Sequence, residues 1–288
     1  MNDQHVRSIP LISRRAFLRT GVLGAASLAF LGSSYSISHE DDYDLVTRTI
    51  KISNLPPEFR GFTIGLMSDI HSSVFMNRQD MNAYVSAMNA LKTDIIFVTG
   101  DFVNSKTEEV YPFAEAFSNL RAPLGVYGVL GNHDYFADVD VVAKEVDGCG
   151  VKLLRNDAVK IEKDGAFITL AGVDDIGRGV NPADYIARAL AGVKNDNPRI
   201  LLCHKPYYMD EFSDHRFDLV FSGHTHGGQI VFAKINDTYI TPASLWSKYV
   251  WGLYRKNGTQ LYVNRGIGSV GVPFRLNCPP ELTKLTLA

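Results

Sequence analysis

Five strand-length apolar runs in this chain each end abruptly in side chains that ligate cations. Residues 63–68 run into Asp69-Ile70-His71, residues 94–99 into Gly100-Asp101, and residues 126–130 into Gly131-Asn132-His133-Asp134. Residues 199–203 run into His204-Lys205-Pro206, and residues 217–221 into Ser222-Gly223-His224-Thr225-His226-Gly227-Gly228. Near-continuous apolar runs of this length read as strands covered on both faces. Laid side by side in an open α/β sheet, their carboxyl ends form one crevice, where such sheets hold ligands. Two aspartates, an asparagine and four or five histidines then converge at one rim. In an extended segment His224 and His226 point the same way, and the glycines around them permit a tight turn close to an ion or a phosphate. That pair alone suits a solvated turn as well as a metal; the four other runs favour metal.

Asp101 stands at the end of its own strand, and its carboxylate has two oxygens to offer. Mixed nitrogen and oxygen donors without thiolate suit Fe, Mn or Zn rather than Ca or Mg. In order, Asp-x-His, Gly-Asp, Gly-Asn-His-Asp, a lone His at a strand end and Gly-His-Thr-His occupy residues 69–226. This series resembles the blocks of the calcineurin-like metallophosphoesterases. Farther on, Gly252-Leu253-Tyr254, Arg265-Gly266-Ile267-Gly268 and Pro279-Pro280-Glu281-Leu282 look like the exported and membrane-associated branch of that family.

The resemblance implies an α/β fold, a two-sheet α/β/β/α sandwich, with two divalent metal ions. It implies hydrolysis of phosphate esters (monoester, diester or pyrophosphate) by a hydroxide that bridges the metals. By the same resemblance Asp69, His71, Asp101 and His226 hold one metal, and Asp101, Asn132, His204 and His224 the other. It gives His133 the protonation of the leaving oxygen, a task that suits a group titrating near neutrality. Asp134 either orients His133 or caps the following helix. Among the arginines, Arg265, beside two glycines, leads as a binder of substrate phosphate, ahead of Arg178, Arg255 and Arg275.

With 288 residues, 45% of them hydrophobic, the chain can bury one substantial core. No internal repeat divides it. A net charge of -2 gives no basic field for nucleic acid. Cys149, Cys203 and Cys278 have no metal-type spacing, and their odd number leaves at least one thiol unpaired unless another chain supplies a partner.

The start of the chain reads as an address. Ser13-Arg14-Arg15-Ala16-Phe17-Leu18-Arg19 resembles a twin-arginine export signal and precedes an apolar stretch, residues 21–32. A membrane-spanning helix needs ~20 apolar residues. No Ala-x-Ala follows, so a cleaved signal and a retained anchor both stay open. Residues 1–42 are therefore signal or anchor plus polar linker, and residues 43–288 a single domain. The implied location is the periplasm or the outer face of the cytoplasmic membrane. The implied partners are the twin-arginine export machinery and a phosphorylated small-molecule or lipid-linked substrate, with membrane association open.

Residues 45–55 alternate as an edge strand until Pro56-Pro57 break it. Helical spacing covers residues 80–91, 108–120, 139–146 and 182–193, the last with Asn181 as N-cap and Pro182 first. Strand, loop and helix in repetition predict a parallel sheet with right-handed crossovers. Short strands follow at 152–155, 158–163 and 166–173, then at 260–264 and 282–287. Asp174-Asp175 reads as a solvated loop, and His5, His39 and His215 as surface bystanders. In the loop 244–255, Trp246, Tyr249, Val250, Trp251, Leu253 and Tyr254 form either a lip for a lipid-linked phosphate or a packed cluster. Two rivals remain. One is a hydrolase of UDP-2,3-diacylglucosamine, a substrate the branch includes, whose cytoplasmic origin conflicts with an export signal. The other is a metal-binding scaffold without catalysis, although none of the expected ligands is missing.

Overall fold

The computed structural model describes residues 43–177, 179–193, 196–235 and 238–288. The export-signal reading of residues 1–42 and the phosphate-binding reading of Arg178 lie outside these residues. One six-stranded sheet runs in the order β1 (Asp44–Ile50), β14 (Glu281–Leu287), β2 (Thr63–Met67), β3 (Ile95–Val98), β4 (Val126–Gly128), β5 (Val151–Leu153). The other runs β12 (Gly252–Lys256), β13 (Thr259–Val263), β9 (Leu219–Ser222), β8 (Arg199–Leu202), β7 (Ala166–Gly172), β6 (Asp157–Lys163). A separate hairpin joins β10 (Ala233–Ile235) to β11 (Thr238–Ile240).

Alternation along each strand decides which layer a side chain enters. Ile64, Leu66, Ile95 and Phe97 of the first sheet meet Ile168, Leu170, Ile200, Leu202 and Phe221 of the second in one buried layer. Phe97 and Phe221 touch there at 5.5 Å between ring centroids. Burying such a ring contributes about 1.5–3 kcal/mol, and truncating either to alanine would cost about 3–5 kcal/mol. The opposite faces carry helices. Met67, Ile96 and Val98 pack under α1 (Arg78–Ala90), α2 (Val110–Phe117) and α3 (Val139–Gly148). Leu201, Cys203 and Val220 pack under α4 (Pro182–Ala189) and the short α5 (Met209–Phe212). The expected α/β/β/α sandwich is what forms.

Short polar side chains set where the helices begin. Asn77 accepts from the N–H groups of Gln79 and Asp80 while Asp80 reaches back to the Asn77 N–H, a capping box on α1. Asp138 caps α3, and Asn181 with Pro182 starts α4.

Three expectations need correction. The five ligand-bearing runs do not lie side by side: β2, β3 and β4 belong to one sheet, β8 and β9 to the other. The site therefore sits at the shared rim of two stacked sheets. Nor is either sheet purely parallel, since β14 runs antiparallel to β2 and β12 antiparallel to β13. The loop expected at 244–255 ends in β12, because Tyr254 and its neighbours pair with β13. Among the described residues no helix is long and apolar enough to cross a membrane.

Candidate metal centre

At the ends of β2, β3 and β9 the chain turns through the left-handed region at Asp69 (φ 49°), His71 (49°), Asp101 (55°), His224 (69°) and His226 (52°). Non-glycine residues rarely adopt it, and each instance stores about 1–3 kcal/mol unless its surroundings impose it. Here they do. The Asp69 N–H donates to the Gly100 carbonyl and the His71 N–H to the Asp101 carbonyl, both at 3.0 Å. The Asp134 carboxylate accepts from the N–H groups of Phe102 and Gly131 at 2.8 Å, Asp101 at 3.1 Å and Val103 at 3.2 Å. Asp134 thus holds the backbone of the Asp101 loop; the cap of α3 is Asp138. Burial and then the neighbouring Asp101 charge push the Asp134 carboxyl up, and the backbone donors pull it back.

The side chains form two groups around one carboxylate. Asp101 Oδ2 lies 3.1 Å from His204 Nε2 and 3.5 Å from His71 Nε2, while Oδ1 accepts from the His133 N–H at 2.8 Å. His226 Nε2 lies 3.1 Å from His71 Nε2 and 3.3 Å from Asp69 Oδ1. His224 Nδ1 lies 3.2 Å from His204 Nε2. One group joins Asp69, His71, Asp101 and His226, the other Asp101, His204 and His224, and within each the donor atoms lie within 4.8 Å of one another. Asn132 stands beside them. Its Oδ1 is buried with no hydrogen-bond partner among the described residues, a cost that a cation would remove. Asp69 links the groups by accepting from the His224 N–H at 2.9 and 3.0 Å.

The electrostatics fit a cation. Burial lowers His71, His224 and His226 to about 3, so they present neutral rings, the form that ligates metals. Burial would lower His204 too, but the Asp101 carboxylate outweighs it and pushes that ring up to about 10. Burial would raise Asp101, yet His204 and His71 hold it well below the usual carboxylate range. His204 Nδ1 donates to the Thr99 carbonyl at 2.7 Å, which leaves Nε2 facing Asp101. Pairs of ring nitrogens 3.1–3.2 Å apart beside buried carboxylates call for positive charge between them. Mixed oxygen and nitrogen donors suit a divalent transition metal.

Two glycines make room for this packing. A Cβ on Gly131 would fall 2.2 Å from Asp101 Oδ1, and one on Gly223 would fall 1.8 Å from Ser68 Oγ and 2.2 Å from Asp69 Oδ2. His133 remains outside both groups. Its Nδ1 donates to the Asn104 carbonyl, and its half-buried ring stands edge-on to His71 at 4.6 Å and against Phe136 at 4.8 Å.

Several other expectations change. Arg265 is buried, with Nε on Glu281 at 2.6 Å and Nη2 on Asp44 at 2.9 Å, so it is not open to substrate phosphate. Arg275, ranked behind Arg265 in the sequence, is the arginine next to the site. Its guanidinium donates to the carbonyls of Arg265 at 2.9 Å, Gly268 at 3.1 Å, Cys278 at 3.2 Å and His226 at 3.4 Å. It ties the His226 turn to the glycine-rich segment after β13. Asp174 and Asp175 are not solvated: Asp174 accepts from Arg155 Nε at 3.0 Å and Asp175 pairs with Lys205 Nζ at 2.8 Å. His215 is half-buried. Cys149, Cys203 and Cys278 are all free thiols. The aromatic segment divides, with Tyr249 and Val250 in the core and Trp246 59% exposed.

Comparison with known proteins agrees with this geometry. The family described as Calcineurin-like phosphoesterase matches residues 62–228. The chain is 32% identical over 253 residues to the "Transmembrane protein with metallophosphoesterase domain" of Danio rerio, covering 83% of this chain and 56% of that one. It therefore spans about half the length of that relative. To the metallophosphoesterase YkuE of Bacillus subtilis it is 32% identical over 287 residues, covering 96% of this chain and 98% of that one. In fold it is similar to the crystal structure of TT1561 of Thermus thermophilus, with a TM-score of 0.50 and 16% identity over 72% of this chain and 90% of that one. On the strength of a family match across more than half of its length, the chain belongs to the calcineurin-like phosphoesterases.

Proposed function

We propose that this chain hydrolyses phosphate esters at a pair of divalent metal ions, Mn, Fe or Zn. The observation that carries the reading is the membership of Asp101 in both ligand groups, the arrangement a two-ion site needs. Asp69, His71, Asp101 and His226 would hold one ion, and Asp101, Asn132, His204 and His224 the other. Bound there, such ions neutralise phosphoryl oxygens and lower the pKa of water.

The chain's own residues supply the rest. Asp134 fixes the loop of the shared carboxylate through four backbone N–H groups. The hydrogen bond from His133 Nδ1 to Asn104 fixes that ring's orientation and leaves Nε2 to hand a proton to the leaving oxygen. Phe136, packed on His133, shields one side of the ring from water. Residues 13–19 support export in folded form by the twin-arginine machinery, to the periplasm or the outer membrane face.

The test is turnover of an aryl phosphate by metal-loaded protein. Asp101→Ala and His204→Ala should each abolish metal-dependent turnover while circular dichroism shows the fold kept. Wild-type turnover in either variant would refute the reading. Metal analysis near two equivalents supports it, whereas none bound would refute it.

A further inference from the structure

The strand ends that carry the ligands also carry most of the apolar surface. Among the described residues fourteen large apolar side chains are exposed. Twelve lie on connections that leave or enter the sheets at the metal end; Leu45 in β1 and Tyr111 in α2 are the others. Val74 is 86% exposed and Phe75 62%, just past His71, and Phe136, just past Asp134, is 64% exposed. In the connections that follow β9 and β13, Phe232, Ile235, Leu245, Trp246 and Val272 are 50–85% exposed. Their two segments form one surface. Gln229 Nε2 donates to the carbonyls of Val270 and Val272 at 3.0 and 2.8 Å, and Asn277 Nδ2 to that of Val231 at 3.0 Å. An apolar patch of this kind on a domain surface marks an interaction site.

The point where residues 1–42 join the domain lies at the same end. Asp44 opens β1 opposite Glu281, whose N–H donates to the Gly266 carbonyl at 3.1 Å. Gly266 in turn rests on Asp69, where a Cβ would fall 2.6 Å from the Asp69 Cβ. Arg265 grips Asp44 directly. Upstream, residues 21–32 are Gly, Ala, Val, Leu and Phe apart from Ser27, a composition that favours lipid over water.

We propose that the metal rim rests on a lipid bilayer and that the substrate is a lipid-borne phosphate ester at headgroup level; this rests on the hydrolytic reading above. The apolar loops come from both sheets and leave the strand ends that carry the ligands. A protein seated on all of them would close the rim, whereas a bilayer presents phosphates to it. With a net charge of -2, contact is made by apolar side chains rather than by attraction to anionic lipid. In the reaction the oxygen of water bonds to phosphorus, the bond from phosphorus to the lipid alcohol oxygen breaks, and a proton from water reaches that oxygen through His133.

The chain has two tryptophans, Trp246 exposed and Trp251 half-buried against Tyr239 at 3.6 Å. With the metal-loaded full chain on vesicles of brominated phosphatidylcholine, Trp246 emission should be quenched. In Trp246→Phe the remaining Trp251 emission should not be. Ile235→Asp and Leu245→Asp should each weaken vesicle affinity about tenfold and leave aryl phosphate turnover unchanged. They should also slow hydrolysis of phosphatidic acid or phosphatidylglycerol presented in vesicles. Unquenched Trp246 on vesicle-bound protein would overturn the proposal. So would aryl phosphate turnover without hydrolysis of either lipid, or self-association in solution that the same substitutions abolish. Loss of aryl phosphate turnover in wild type would instead refute the hydrolytic reading, while quenching would still report on the surface.

Discussion

Gly131→Ala places one methyl group where the shared carboxylate sits. The new Cβ would fall 2.2 Å from Asp101 Oδ1, 2.5 Å from the Asp101 nitrogen and 2.8 Å from its Cγ. Ordinary contact begins near 3.4 Å, so Asp101 must retreat by about 1 Å. It has nowhere easy to go. His204 holds Oδ2, the His133 N–H holds Oδ1, and Asp134 holds the main chain. Overpacking of this kind costs about 1–3 kcal/mol, and a domain of this size loses about 2–4 °C of Tm per kcal/mol. A displacement of about 1 Å at a reacting centre costs about 100-fold in rate. The expected result is therefore a fall in kcat/KM of about two orders of magnitude, with a folded but less stable protein. Aryl phosphate kinetics at saturating metal, with thermal melts, supply the measurement. Gly148→Ala is the control: it lies in α3 with nothing within 4 Å of its would-be Cβ, so turnover should hold and stability rise by about 0.5–1 kcal/mol. Wild-type kcat/KM in Gly131→Ala would show that the rim does not depend on where Asp101 stands.

Arg265→Ala leaves Glu281 buried without its cation, at a cost of about 3–5 kcal/mol. A depressed Tm with unchanged KM is expected; the reverse would return Arg265 to a substrate role. In Asp134→Asn one acceptor oxygen replaces two, so at least one backbone N–H of the Asp101 loop loses its partner, at about 1–3 kcal/mol; an unshifted urea midpoint would contradict this. For metal-free protein, urea unfolding across pH tests the electrostatics. His71, His224 and His226 have folded pKa values lowered to about 3. Their stabilisation is present above the unfolded histidine value of about 6.5 and is lost as pH falls toward 3. With three rings titrating, the slope approaches about 4 kcal/mol per pH unit. His204, raised to about 10, contributes below about 6.5 and loses that contribution as pH climbs to 10. Stability should peak near neutrality, and a flat profile would rule out the buried neutral rings.

Asp69, Asp101, Asn132 and His204 were legible because each follows an apolar run that stops, and that local signal survives whichever sheet the strand joins. The division of the runs between two sheets was not legible. Nothing in residues 199–203 distinguishes a strand that pairs with β7 from one that pairs with β4; long-range burial decides. The arginines show the same limit. Glycines beside Arg265 suggested an open turn, but Glu281 and Asp44, far apart in sequence, close around it. Arg275 carries no local mark at all, since its partners are backbone carbonyls that every residue has. Asp134 sits in the Gly-Asn-His-Asp block, yet its partners are N–H groups more than thirty positions earlier as well as the Gly131 N–H. Asp174 and Asp175 looked solvated for the same reason, because Arg155 and Lys205 reach them from the connections after β5 and β8.

β14, which follows the other strands of the described residues in sequence, sits between the first of them, β1, and the strand that leads into Asp69. A nascent chain that has not yet made β14 thus holds β1 with no neighbour and β2 with one bare edge. Glu281, which Arg265 and Asn264 need as a partner, is missing until that strand has emerged. The loops around Asp69 cannot settle until β14 has docked between β1 and β2, so a chain cut before this strand should lose the arrangement of side chains at the metal rim.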